Sequence, residues 1–230
     1  MITAAEPLPK KTPQPGRKTA ASAAEERVLL TGIRWETYQA LLADLGDRPI
    51  HLTYDRGSLE IMTLSSAHES YKTLFGRLVE LLTLELRIPI RSLGSTTLNR
   101  EQLQRGLEGD ECYYITNEPK VRAKLHIDLA VDPPPDLALE VDVTHSSLDR
   151  LSIYAVLRVP ELWRREGETL VCYLLGNDGK YVVSSTSRAF PGLTPADLMR
   201  FLLLRGQMDE NALVRRFRAW VQQQFPRQSP

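Results

Sequence analysis

The sequence predicts an α/β fold, a mixed and bent β-sheet flanked by helices, and three observations lead there. Short runs rich in apolar and β-branched residues recur along the chain, several closed by glycine or proline. One long amphipathic stretch, from Ser65-Ser66 to about Leu86, stands among them with helical spacing. Helix-period and strand-period segments alternate without internal repeat or domain-scale linker, which puts both kinds of element around one core. A length of 230 residues suits one domain with tails, and 42% hydrophobic with 25% charged residues is the composition of a soluble globular protein.

The elements follow in order. Residues 1–27 hold prolines, alanines and mixed charges with no apolar period, so a disordered tail is expected there, with a short second tail over 226–230. The α/β domain is expected over 28–190, and C-terminal helices packed on it or appended to it over 191–225. Trp35, Tyr38, Leu41 and Leu42 give Trp35–Leu45 a helical period, and Gly46-Asp47 stops it. His51–Tyr54 and Ser58–Leu64 flank Asp55-Arg56-Gly57, which predicts a hairpin. In the long helix Tyr71, Leu74, Phe75, Leu78, Leu81, Leu82 and Glu85 form the core stripe, with Glu85 at its wet end. His68 and Lys72 lie one turn apart beside that stripe. Ile88–Leu93 and Ser95–Leu98 read as strands around Gly94, Asn99–Gly109 as loop or short helix, and the run after Asp110-Glu111 as a strand. Ile127–Val131 alternates like a further strand. Ser146 or Ser147 is expected to cap a helix over about Leu148–Leu157, with Asp149 in its first turn. Val159–Trp163, Leu170–Leu175 and Tyr181–Ser185 are strands, the last two joined by the turn Gly176–Gly179. Thr194-Pro195 with Asp197 starts a helix that Gly206 stops, and Asp209–Phe225 is a last amphipathic helix.

The chemistry concentrates in Pro135–Thr144, PDLALEVDVT, a strand entered through three prolines. Alternation puts Leu137, Leu139, Val141 and Val143 on one face and Asp136, Ala138, Glu140 and Asp142 on the other. Carboxylates crowded on a strand otherwise built for burial repel one another and resist desolvation. A hard divalent cation with oxygen ligands relieves this, and so does an exposed face where the acids meet water, lysine or arginine; the strand leaves both readings open. Glu60 and Asp110/Glu111 are the acids on other strands that could meet Glu140 and Asp142.

Other classes are disfavoured. Net charge is zero, with 29 basic and 29 acidic residues, so binding to nucleic acid or membrane would rest on a local patch. Cys112 and Cys172 sit in apolar runs and read as buried thiols. No CxxC pair, HExxH, GxSxG or phosphate-binding glycine loop occurs. No apolar run approaches the ~20 residues that cross a bilayer, and the N-terminus lacks a hydrophobic signal core, so a cytoplasmic protein without a membrane partner is expected.

Three blocks then carry a resemblance: GSLEIMTLSSAHESYK, GLEGDECYYITNEPKV and IDLAVDPPPDLALEVDVTHSSLDRLSIYAVLRVPELWR. Together they resemble the Uma family of restriction endonucleases, within the PD-(D/E)XK nuclease superfamily, over roughly Thr31 to Gly179. The resemblance implies a restriction-endonuclease-like fold and a Mg²⁺- or Mn²⁺-dependent endonuclease acting on DNA. Asp110 resembles the family's metal-binding aspartate and Glu140 its glutamate. Glu60 resembles a supporting acid, and His68 a recurrent histidine. Duplex cleavage by small nucleases often needs two active sites, which suggests a homodimer.

One departure stands out. The superfamily places a lysine two residues past the glutamate, and Asp142 stands there. Within the family a lysine often lies on the next helix, four residues before a tyrosine; counting back from Tyr154 reaches Arg150. Arginine stays protonated and is a poor base. Lys72 and Lys124 are substitutes by position only. The expected mechanism has Asp110 and Glu140 bind the metal, Asp142 or Glu60 complete its shell, and Arg150 or Lys72 offset transition-state charge. A nuclease-fold module that binds nucleic acid or protein without catalysis is the competing reading.

Overall fold

The computed structural model describes residues 25–46, 48–142 and 146–226. Residues 1–24 of the tail expected over 1–27, residues 227–230 of the tail expected over 226–230, Asp47 of the first helix stop, and Val143 and Thr144 at the end of the acidic strand lie outside them.

The first strand, β1 (Arg27–Thr31), starts where the tail was expected to end, and its apolar run Val28–Leu30 was too short to read as an element. Helix α1 (Trp35–Leu45) follows, then the hairpin β2 (Ile50–Asp55) and β3 (Ser58–Thr63), closed through Arg56 and Gly57 in left-handed backbone. Helix α2 (Ser66–Leu86) opens on Ser65, whose hydroxyl accepts from the His68 N–H. Its Leu74, Phe75, Leu78, Val79 and Leu82 are buried, as the stripe requires. Glu85 is not at a wet end: it is buried against the last helix, where Arg218 (2.6 Å) and Gln222 (2.9 Å) donate to it.

Strand β4 (Arg91–Arg100) is continuous where two strands were expected, because Gly94 lies within it at an irregular register rather than breaking it. Most of the expected Asn99–Gly109 loop is strand. After the short 3-10 turn Glu101–Leu103, β5 runs over Arg105–Tyr114. The short helix α3 (Glu118–Val121) was not foreseen. Ile127–Val131 is not a strand. Asp128 accepts from Ala130 N–H and Asp132 from Asp128 N–H, so the acids fold the segment into turns in place of ladder bonds.

The acidic strand is β6 (Leu137–Asp142), followed by α4 (Arg150–Val156), β7 (Glu161–Glu166), β8 (Thr169–Leu175), β9 (Tyr181–Ser184), α5 (Pro195–Leu202) and α6 (Glu210–Gln224). Asp149, not Ser146 or Ser147, caps α4, because both serines are engaged elsewhere. Thr194 and Asp197 cap α5 reciprocally, as their spacing predicts.

The strands form one mixed sheet in the order β1-β3-β2-β5-β6-β7-β8-β9, with β4 on the second edge of β5. Among the described strands only β6 and β7 pair in parallel, across the α4 crossover. Helix α2 packs on one face of β6, α5 on β8 and α6 on α2, and on that side Leu137, Leu139 and Val141 join Leu74, Phe75, Trp163 and Phe217 in the main core. Helix α4 covers the other face, where Ala138 and Cys112 meet Ile153 and Tyr154. A third cluster packs α1 on Leu52, Tyr54 and Leu59. Both cysteines are buried, as their apolar runs predict. Among the described residues no helix is long and apolar enough to cross a membrane.

Candidate active site at the fork of the sheet

Strand β5 organises the site. Its outer edge pairs with β4 over its whole length, while its inner edge pairs with two different strands. Residues 105–107 meet β2, and residues 111–113 meet β6. Between them the sheet forks. An extra residue also enters β5 between Gly109 and Cys112 opposite β4, a bulge that re-aims side chains at the branch.

The fork leaves backbone groups without ladder partners, and carboxylates take their place. Leu52 N–H of β2 donates to Glu108 Oε2 at 2.7 Å, and Val141 N–H of β6 donates to Asp110 Oδ2 at 2.6 Å. Arg150, the first residue of α4, fills the gap. Its guanidinium donates to both oxygens of Glu140 (3.0 and 2.6 Å), to Thr53 Oγ1 of β2 (2.5 Å) and to the Glu108 carbonyl of β5 (2.7 Å). One side chain thus ties together the three strands that diverge. Tyr154, one turn along α4, donates its hydroxyl to Glu140. Gly109 lies beneath that hydroxyl, where an added Cβ would come within 2.8 Å of it. Burial pushes the Glu140 carboxyl up, and the guanidinium opposes the rise.

Asp110 has a different set of partners. His68 Nε2 lies 3.0 Å from its Oδ1, and His68 Nδ1 lies 2.9 Å from Glu25. Burial alone would make this imidazole less basic, but its bonds to two carboxylates outweigh burial and raise it to about 10. His68 is therefore a buried imidazolium, and it holds Asp110 below the usual carboxylate range against the same desolvation. His51 Nδ1 sits 3.4 Å from Asp110 and has no hydrogen-bond partner; burial lowers this imidazole to about 4, so it is neutral at pH 7.

Glu60, on β3, accepts from Ser146 Oγ (2.7 Å), Ser147 N–H (2.6 Å) and Arg27 (2.9 Å). Arg27 also reaches Asp142 at 3.4 Å, and Arg164 pairs with Asp142 at 2.5 Å. The edge strand β1 thereby brings a cation between two candidate acids, and the Glu25 just before it meets His68. Lys72 touches this network through Ser95, whose hydroxyl donates to the Asp110 carbonyl at 3.2 Å. Its Nζ meets Glu69 (3.1 Å) and Ser95 Oγ (2.8 Å) at a cavity of about 350 Å³ that His51 and Glu108 also line. Lys124 pairs with Asp132 in the turn region before β6. Asp136 accepts from Ile115 N–H and Asn117 N–H, a structural role at the strand's start.

A family model described as "Putative restriction endonuclease", Uma2, matches residues 35–203, well over half of the chain. The chain belongs to the Uma2 family. No curated protein matches it. The restriction-endonuclease-like α/β fold expected from the sequence is that of this Uma2 protein.

Against the Uma2 expectation, the structure brings Asp110 and Glu140 onto neighbouring strands at the fork, but their partners lie on different sides of β6. Asp110 takes His68 of α2, and Glu140 takes Arg150 and Tyr154 of α4. Each of the four candidate acids already has a basic partner: Asp110 with His68, Glu140 with Arg150, Glu60 with Arg27, Asp142 with Arg27 and Arg164. The donor types suit a hard dication, but the arrangement does not. Among the described residues, no group of three His, Cys, Asp or Glu side chains is placed to hold a metal ion. Sequence reasoning did not single out Glu25, Arg27, His51, Thr53, Glu108 or Arg164, and it used Tyr154 only to locate Arg150. His51 and Thr53 alternate with apolar residues in a predicted strand, a signal that could have found them. Arg27 gave none, since only the β1–β3 pairing carries it to Glu60.

Proposed function

We propose that this Uma2 protein is an endonuclease that hydrolyses DNA phosphodiester bonds at the β5–β6 fork, and that it does so with a divalent cation, Mg²⁺ or Mn²⁺. The observation that carries the proposal is that Asp110 and Glu140 stand on neighbouring strands at the fork and Glu60 and Asp142 are linked through Arg27, all four acids lying within the span of the family match. Buried acids of this density are unusual unless a site needs them, since each must be desolvated and paired. The described arrangement is then a closed, internally neutralised form. Arg150 and Tyr154 orient Glu140, and His68 orients Asp110. Arg27 lies on the edge strand β1, and its release would take a cation from Glu60, leaving the Ser146 and Ser147 donors, and would leave Asp142 with Arg164.

A second reading has a specific observation in its favour. Acids matched one by one with basic side chains also suit a nuclease-fold module that binds nucleic acid or protein without cutting. Plasmid nicking by purified protein in Mg²⁺, Mn²⁺ and EDTA decides between them. The nuclease reading expects cation-dependent nicking that Asp110→Asn and Glu140→Gln remove while the fold persists. Nicking by wild type that EDTA leaves intact would overturn the cation requirement. Inert wild type across metals, with calorimetry showing no Mn²⁺ uptake, leaves the binding module.

A further inference from the structure

The main core carries a second concentration of charge that the fork does not use. Arg165 of β7 turns toward α2, the opposite way from its neighbour Arg164, which meets Asp142. Its guanidinium lies 3.6 Å from the ring centroid of Tyr71, and that of Arg205, just beyond α5, lies 4.6 Å from the same ring. Arg205 Nε donates to Ser70 Oγ at 2.8 Å. Arg165 is 6% exposed, and its Nε has no hydrogen-bond partner. Among the described residues no carboxylate lies within ion-pair distance of either guanidinium, whereas the buried acids Glu60, Glu85, Asp110 and Glu140 each have a basic partner.

Two like charges on one ring, one of them desolvated, is an arrangement that an aromatic face relieves only in part. Burial and the second guanidinium make Arg165 harder to keep charged, and Tyr71 and the Glu168 carboxylate offset this only in part. A planar guanidinium whose Nε–H is unpartnered, beside a second guanidinium and a serine hydroxyl, is the donor set that recognises a tetrahedral oxyanion. We propose that Arg165, Arg205 and Ser70, assembled on Tyr71, form a binding site for a phosphate group, supplied by a nucleic-acid backbone. The site rests on the nuclease reading only for the source of the phosphate.

Three proteins test it: wild type, Arg205→Gln, whose side chain is half-buried, and Arg165→Met, which keeps the apolar stem. Thermal unfolding is followed in inorganic phosphate and in chloride at matched ionic strength, and binding of a short DNA duplex by fluorescence anisotropy across salt. Phosphate should raise the wild-type midpoint above chloride, and both variants should lose that response. Duplex affinity should fall about tenfold in each variant, with the salt slope smaller by about 1 because one phosphate contact is gone. A lost phosphate response with unchanged duplex binding overturns the nucleic-acid source and leaves free phosphate as the ligand. No phosphate response in wild type, or one that both variants keep, overturns the site. Wild type that answers to phosphate but binds no duplex overturns the nucleic-acid source together with the nuclease reading and leaves free phosphate as the ligand of the site.

Discussion

Removing Arg150 tests how the fork is held. Arg150→Met keeps the stem of the side chain and deletes a guanidinium that is bonded to Glu140, Thr53 and the Glu108 carbonyl. Glu140 is 8% exposed, so its carboxylate cannot turn to water. Breaking one side of a buried pair costs about 3–5 kcal/mol, because the surviving charge stays desolvated. For a domain of this size each kcal/mol moves the thermal midpoint by roughly 2–4 °C, so a fall of about 10 °C is expected. Glu140→Gln should cost a similar amount by stranding the guanidinium. The double variant leaves neither charge stranded, so its loss should be smaller than the sum of the singles by at least about 2 kcal/mol. Urea unfolding at pH 7, followed by far-UV circular dichroism and tryptophan fluorescence, measures all three. Singles that each cost under about 1 kcal/mol, or a double that adds to within ~0.5 kcal/mol, would refute the idea that Arg150 neutralises Glu140 and ties the fork.

Further outcomes follow from other parts of the site. His68 titrates at about 10 in the folded chain against an ordinary 6.5, so its stabilisation is complete below about pH 6.5 and is lost as pH rises toward 10; His68→Gln should flatten that alkaline decline in a pH series of unfolding midpoints. His51 is lowered to about 4, so between pH 6.5 and 4 the unfolded chain binds more protons and stability falls with acid; His51→Asn should flatten this acid limb. Glu161 is 1% exposed and accepts from Trp163 Nε1 (2.6 Å), Ser187 Oγ (2.7 Å), Arg188 N–H (2.9 Å) and Ala189 N–H (2.7 Å); Glu161→Ala should lower stability by about 3 kcal/mol and expose the 186–190 segment to protease. Arg27→Ala removes the shared partner of Glu60 and Asp142, and calorimetry should show Mn²⁺ bound more tightly than by wild type; equal or weaker binding would mean that Arg27 does not compete with a cation there.

The fold was legible where period and punctuation agree. The α2 stripe, the Asp55-Arg56-Gly57 hairpin, the α5 capping box and the alternation of β6 are all local, set by residues within a turn or a strand of one another. The misreadings have a common cause. Ile127–Val131 alternates like a strand, but Asp128 and Asp132 reach backbone N–H groups only a few residues away. Ser146 and Ser147 have the chemistry of caps but are claimed by Glu60, 86 and 87 residues earlier in the chain.

By itself the sequence determined the family and most of the helices and strands, and it named Asp110, Glu140, Glu60 and Asp142 as candidate acids, because these depend on which residues occur and at what spacing. Only the tertiary structure decided what each acid faces. Strand β5 shares one edge between two partners, and the break this leaves assigns Glu108 and Asp110 to bare N–H groups and Glu140 to Arg150. Pairing across a sheet joins residues far apart in the chain, so charge neutralisation at the fork is a property of the assembled strands and is written in no single stretch of sequence.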